Sequence, residues 1–341
     1  MGKPKFLIKV SKVIALVFLG IIGIILQAWS AAALYYCSFP SDPALRSAVA
    51  IIYLLALILF IILSPKHVRA FFLGLLGFVV VAIWFNTIQP KAGAQFPPEL
   101  TLPYAEIKGD VVTLHNVRNS AYRTKEDFDV HYETRTYNLK DVRTLDVLVN
   151  YWGMEAIAHT FLSYGFSDGS YLAVSVEIRP AIGQVYDMVQ GFFKQYQIIY
   201  IWADERDLVR LRTNYKKENV YLYRSTFSPD KVRKMFLSML QETNSIHDKP
   251  QFYNTLTHSC TNTLGNHVIA TQIAKVSPWE RRFRTGDIDQ RLYQGGLLDR
   301  SLPFAELRRQ ANIDSRAQAA DNSPQFSEKI RTHLILKDAR F

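Results

Sequence analysis

The chain has two cysteines in 341 residues, a single acidic residue in its first ninety, and none of the short motifs that announce the commonest chemistries. Two cysteines are too few to staple a secreted fold, so stability has to come from a packed core. Without a Gly-rich phosphate loop, a Gly-x-Ser-x-Gly or a His-Glu-x-x-His, nothing points to nucleotide phosphates, a serine elbow or a zincin helix. The net charge of +10 is no nucleic-acid footprint. Positions 1–90 hold seven basic residues against Asp42, which leaves +4 spread over the other 251 residues. A partner carrying many phosphates demands a denser basic face than that. No cofactor is expected.

Charge is also missing from three apolar runs. Val13 to Tyr36 is 24 residues long, and Ala48 to Leu63 and Ala70 to Phe85 are 16 each. The first is long enough to cross a bilayer, and the others need a few interfacial flanking residues. Buried core helices explain single runs of 16, but three in succession with short loops predict three transmembrane helices. The first is too long for a cleaved signal peptide and lacks a small-residue cleavage pattern. Four lysines precede the first run, and Lys66 and Arg69 lie between the second and third. By the positive-inside rule the N-terminus is cytoplasmic and everything after about residue 87 is outside. The expected organisation is a membrane domain over 1–86, a Pro-, Gly- and Ala-rich linker over 87–103, and a periplasmic domain over 104–341 at the inner membrane.

Within that outer domain the stretch Thr257-His258-Ser259-Cys260-Thr261-Asn262-Thr263-Leu264 stands out. Polar residues precede the cysteine, and Leu264, Val268, Ile269 and Ile273 follow at helical spacing. The pattern places Cys260 at a helix N-terminus, where backbone N–H groups and the helix dipole favour thiolate. A small buried packing cysteine is the bland alternative.

A nucleophilic thiol needs a base, and the base needs something to hold it. The clearest hairpin runs from His159 to Phe166 and from Ser170 to Arg179 around Ser167-Asp168-Gly169. A three-residue loop with Gly in the left-handed position pairs residues whose numbers sum to 336. Leu162, Tyr164, Phe166, Leu172, Val174, Val176 and Ile178 then share a core face. His159 and Glu177 stand opposite one another on the other, with Phe161, Ser163, Ala173 and Ser175. A two-residue turn would separate them, because a one-step slip exchanges the faces. His159 is the candidate base and Glu177 its orienter. The bland readings are a structural histidine and an ion pair of Glu177 with a neighbouring arginine such as Arg179. His258 competes as base from two residues away. A zinc set of His258, Cys260 and His267 fits no common spacing and lacks a fourth ligand. Elsewhere Leu208 to Thr213 reads as a strand, Ser228-Pro229-Asp230 opens a helix, and 278–341 shows no chemistry.

Several stretches resemble the Lnb N-terminal periplasmic domain family. They are Asn116-Val117-Arg118-Asn119 with Tyr122-Arg123, Tyr151-Trp152 with Ala156-Ile157-Ala158-His159-Thr160, Ser175-Val176-Glu177, Leu211-Arg212-Thr213-Asn214-Tyr215 and Cys260-Thr261. The family often has Asn before the cysteine and Thr two after it; here these are Ser259 and Asn262. The resemblance implies an α+β fold, a permuted papain-like (NlpC-like) cysteine enzyme with the histidine strand ahead of the cysteine helix. It also implies a Cys260–His159 dyad. The family's name-giving member is a lipoprotein N-acyltransferase, so the expected partner is a membrane lipid or lipoprotein and the expected intermediate a thioester. A cell-wall amidase or peptidase is the alternative, and a non-catalytic membrane-anchored binding module the third.

Overall fold

The computed structural model describes residues 3–38, 42–64, 67–90, 96–153, 155–273 and 285–334. Residues 91–95 of the expected linker lie outside them. The chain divides into two compact units.

The first unit comprises Met1–Lys91 together with Tyr186–Gln195. It contains α1 (Lys3–Cys37), α2 (Pro43–Leu63) and α3 (His67–Thr87). Asp42 caps α2, its carboxylate accepting from the N–H groups of Ala44 and Leu45, and Pro43 takes the first position, where no N–H is needed. Val10–Cys37 and Pro43–Leu63 are long and apolar enough to cross a membrane; the apolar stretch of α3, Phe71–Thr87, is shorter. One polar knot ties the three together. Gln27 on α1 donates to Gly74 O on α3 at 3.0 Å and accepts from the Tyr53 hydroxyl on α2. Gly77 lets Tyr53 come close, since a Cβ there would meet its hydroxyl at 3.3 Å. Small residues and shared hydrogen bonds are how helices associate where apolar burial gains nothing.

The second unit comprises Ala92–Val185 and Tyr196–Phe341. Its strands are β1 (Tyr104–Lys108), β2 (Val111–Arg118), β3 (Ala121–Tyr122), β4 (Phe128–Asp129), β5 (Tyr132–Asn138), β6 (Val142–Tyr151), β7 (Ala158–Phe166), β8 (Tyr171–Arg179), β9 (Gln197–Ala203) and β10 (Asn219–Arg224). Eight form one mixed sheet in the order β1-β2-β9-β8-β7-β6-β10, with β5 on the other side of β2; β3 and β4 form a separate ribbon. All its pairings are antiparallel except one parallel contact, Arg118 with Ala203. The architecture is α+β.

The β7–β8 turn forms as its residues dictate. Gly169 has φ +83°, Phe166 N donates to Ser170 O at 3.0 Å, and Leu162 pairs with Val174 in the register summing to 336. Helices α5 (Pro229–Asp248) and α6 (Cys260–Ala270) belong to the larger core, which buries Leu162, Tyr164, Val174 and Trp202 with Val232, Met235, Phe236, Met239 and Leu240 of α5.

One expectation needs correction. Leu208 to Thr213 is no strand: α4 (Glu205–Arg210) runs into a π-helical turn, Leu211–Tyr215. Asp204 caps α4 by accepting from the Arg206 N–H at 3.0 Å, and Glu205 and Asp207 favour its first turn. Both faces of the sheet are covered. A second core joins Leu148, Phe161, Ile199 and Ile201 to Leu208 and Val209, and to Ile313, Ala317, Phe326 and Ile330 from the C-terminal region. That region carries α7 (Ile288–Gln294), α8 (Phe304–Ala311), α9 (Asp314–Ala320) and α10 (Phe326–Lys329). Arg331, fully buried, ends it with a charged bolt. Its guanidinium bonds Asp146 at 2.7 Å and both oxygens of Glu205 at 2.5 and 2.7 Å, and lies 3.4 Å from the centre of the Tyr171 ring.

Candidate active site

Cys260 is the first residue of α6. Ser259 caps the helix: its Oγ accepts from the side-chain amide of Asn262 at 2.9 Å and from that residue's backbone N–H at 3.5 Å. The same amide donates to Leu256 O at 2.9 Å. Asn262, a departure from the family pattern, thus ties the approach loop to the helix. Cys260 is half-buried, and both cysteines are free thiols.

His159 is the second residue of β7 and faces Asn150 across the β6 ladder. On the other side the β7–β8 ladder ends at Leu162 and Val174. Beyond it, side chains bridge the two strands. His159 Nε2 stands 2.7 Å from Ser175 Oγ and 3.2 Å from Glu177 Oε1, and the Ser175 hydroxyl donates to that same carboxylate oxygen at 2.6 Å. The π-helical turn supplies the last member. Arg212 Nη2 donates to Glu177 Oε1 at 2.5 Å, while its Nη1 is fixed by Leu208 O at 3.0 Å and its guanidinium lies over the Phe161 ring at 4.8 Å.

The electrostatics follow from these contacts. Burial alone would push the His159 pKa down; the Glu177 carboxylate and then Cys260 outweigh it and raise it to about 9. Burial alone would raise the Cys260 thiol; His159, by charge and hydrogen bond, followed by the Thr160 backbone N–H and Thr261, brings it below its ordinary value. Burial also opposes ionisation of Glu177, but His159 and Arg212 hold it well below the usual carboxylate range. Each shift moves toward a thiolate–imidazolium pair beside an ionised carboxylate. With Nε2 engaged by Ser175 and Glu177, Nδ1 is the nitrogen left for the thiol.

The structure brings Cys260, His159 and Glu177 together and leaves the competitors elsewhere. His258 is exposed, with Nδ1 3.2 Å from Thr257 Oγ1. His267 is buried, with Tyr200 at 2.6 Å and Ser238 at 2.8 Å on its two nitrogens, and burial pushes its pKa down to about 4. It is therefore not turned toward Cys260, and among the described residues no group of three or more His, Cys, Asp or Glu is placed to hold a metal. Arg179 does not pair with Glu177; it donates to Leu100 O at 2.9 Å and Gln197 Oε1 at 3.2 Å. Ser175 and Arg212 carried no assigned role in the sequence, although each sits in a stretch that resembles the family. Arg118, from another such stretch, grips the fully buried Asp207 at 2.8 and 3.0 Å and serves packing.

Beside the dyad lies an apolar cavity of about 90 Å³. Thr160 and Thr261, the neighbours of His159 and Cys260, line it together with Leu162, Leu264, Val268 and Leu298.

A thiol at a helix N-terminus, an imidazole from the adjoining sheet and a partly buried carboxylate define the class: an α+β protein built around a Cys–His–Glu cluster. Residues 128–283 match the model of a family described as the Lnb N-terminal periplasmic domain, the family that the sequence stretches resemble. The match includes His159, Glu177, Arg212 and Cys260. Comparison with curated proteins and with solved structures gave no match. The family match and the two apolar helices fit a membrane-anchored protein with a periplasmic domain.

Proposed function

We propose that the chain is a thiol acyltransferase or hydrolase of the periplasmic face of the inner membrane, held there by α1, α2 and α3 as three spans. Its permuted papain-like centre acts on the acyl group of a membrane lipid or lipoprotein. Support for the chemistry comes from the opposed shifts of Cys260 and His159. The Cys260 thiolate attacks the acyl carbonyl, and backbone N–H groups of the first turn of α6 receive the oxyanion. As the carbonyl re-forms, the bond to the leaving alcohol or amine breaks, and the His159 imidazolium gives that group its proton. The neutral imidazole then takes a proton from water or an acceptor amine, which attacks the thioester and releases the thiolate. Glu177, reached directly and through Ser175, holds the ring throughout.

The observation that carries the choice of a lipid over a cell-wall amide is the apolar cavity. Fifteen residues line it, Ser225, Thr160 and Thr261 being the polar ones, so it suits a hydrocarbon chain and offers little to a peptide or sugar. Incubation with phospholipid or diacylated lipopeptide, without acceptor, tests this. The peptide containing Cys260 should gain a hydroxylamine-sensitive fatty-acyl mass, absent from Cys260→Ser. Cleavage of cell-wall fragments with no acyl mass would replace this reading by the amidase. Neither product from a reduced thiol would favour the binding module.

A further inference from the structure

The connection from β8 to β9 has an unusual composition for a loop in water. Ile182, Val185, Tyr186, Met188 and Val189 expose 67, 83, 45, 49 and 49% of their surfaces. Five large apolar side chains exposed within eight positions mark an interaction surface rather than scatter. The loop has one acid, Asp187, and one base, Lys194, between Pro180 and Gln195, so its partner is not selected by charge.

The surroundings of the loop indicate what that partner is. Residues Tyr186–Gln195 belong to the same compact unit as the three apolar helices. Phe193 stacks on Tyr36 of α1 with ring centres 5.2 Å apart, and its carbonyl accepts from the Cys37 thiol at 3.1 Å. Lys194 donates to Phe85 O at 2.7 Å and Ile88 O at 3.2 Å, at the end of α3. Trp29, Tyr36, Trp84, Phe85, Phe192 and Phe193 gather there. A collar of Trp, Tyr and Phe with a lysine at the ends of apolar helices is the composition of a membrane–water interface.

We propose that the Tyr186–Gln195 part of the β8–β9 loop is a second membrane contact, an interfacial finger whose Tyr186, Met188 and Val189 enter the acyl boundary of the periplasmic leaflet. The occupant of this surface is a lipid bilayer, engaged by apolar burial and indifferent to headgroup charge. The inference rests on α1–α3 being spans.

The test uses the full chain in lipid vesicles. Single nitroxide labels are placed through Met188→Cys, Val189→Cys, Leu55→Cys in α2 and Asp168→Cys at the β7–β8 turn, each with Cys37→Ser and Cys260→Ser. Collisions with oxygen report lipid, and collisions with a water-soluble nickel chelate report water. Oxygen should dominate at 188, 189 and 55, and nickel at 168, with no change when anionic lipid is added to phosphatidylcholine. Nickel dominance at 188 and 189 with oxygen dominance at 55 would overturn the finger and leave the spans standing. Shielding of 188 and 189 from both reagents would mean a protein cover, and overturns it too. Nickel dominance at 55 would remove the spans and the finger with them.

Discussion

Arg212 and His159 meet at the same oxygen of Glu177: Oε1 lies 2.5 Å from the guanidinium and 3.2 Å from the imidazole. One carboxylate oxygen therefore meets both side chains, so an ion pair of Glu177 exists alongside its contact with the imidazole. The arginine is Arg212, from a π-helical turn, an irregularity that helices often carry at functional sites.

That shared oxygen sets the pH dependence of the thiol. In the wild type, Cys260 should react with iodoacetamide at neutral pH faster than an ordinary thiol, and the imidazolium partner should be lost as pH rises through about 9. Glu177→Gln removes the main influence raising His159, so burial pulls the histidine down and the thiolate loses its partner. The alkylation midpoint then moves up, and each unit costs about tenfold in thiolate at pH 7. An unmoved midpoint would exclude Glu177 as the orienter.

Arg212 acts through Glu177, so its removal should appear on the acid side. Arg212→Met leaves Glu177 with one cation fewer, and the carboxyl pKa rises. As pH falls Glu177 now takes a proton within the working range, and the low-pH limb of alkylation shifts upward. Arg212→Lys keeps the charge and should restore much of the limb. Equal profiles for both variants would indicate a packing role only.

The cavity predicts chain-length selectivity. Val268 lines it two turns beyond Cys260, about 12 Å along the helix. Val268→Phe should shift the preferred acyl donor to shorter chains while iodoacetamide reactivity stays at the wild-type level. Overpacking is expected to cost about 1–3 kcal/mol in stability, so thermal unfolding is checked alongside. An unchanged chain-length profile would place the acyl chain elsewhere.

Arg331 should be the costliest single surface-to-core connection in the C-terminal region. Arg331→Met removes the cation that Asp146 and Glu205 share and leaves Asp146 with Arg224 as its remaining partner, a loss of about 3–5 kcal/mol. Denaturant unfolding measures it directly. Adding Asp146→Asn and Glu205→Gln should recover part of the loss; no recovery would mean that packing of the Arg331 stem dominates.

Topology is the remaining expectation to be measured. Reporter fusions should place residue 12 and the α2–α3 connection in the cytoplasm and residue 100 in the periplasm. A cytoplasmic signal at 100 would remove the periplasmic assignment.

The local features of this protein are written in local sequence. The β7–β8 register follows from Gly169 at a left-handed position and from strict apolar alternation, because a strand has only two faces to choose between. The α5 stripe and the α6 start follow from 3.6-residue spacing and from Ser259 before Cys260. His159 and Glu177 were legible as neighbours for the same reason, since they sit 18 residues apart on one hairpin. What only the tertiary structure decided involves distant pairs. Arg212 reads as strand because Leu208-Val209 are apolar, and it is the Asp204 cap and burial of these residues in the second core that make it a helix and then a π turn. Arg331 is one of many arginines in a polar tail until Asp146, Ser163 and Glu205, 126 to 185 residues away, close around it. The apolar cavity belongs to no segment at all. It is the space that α6, the sheet and the C-terminal helices leave between them, and such a space exists only once all three are packed.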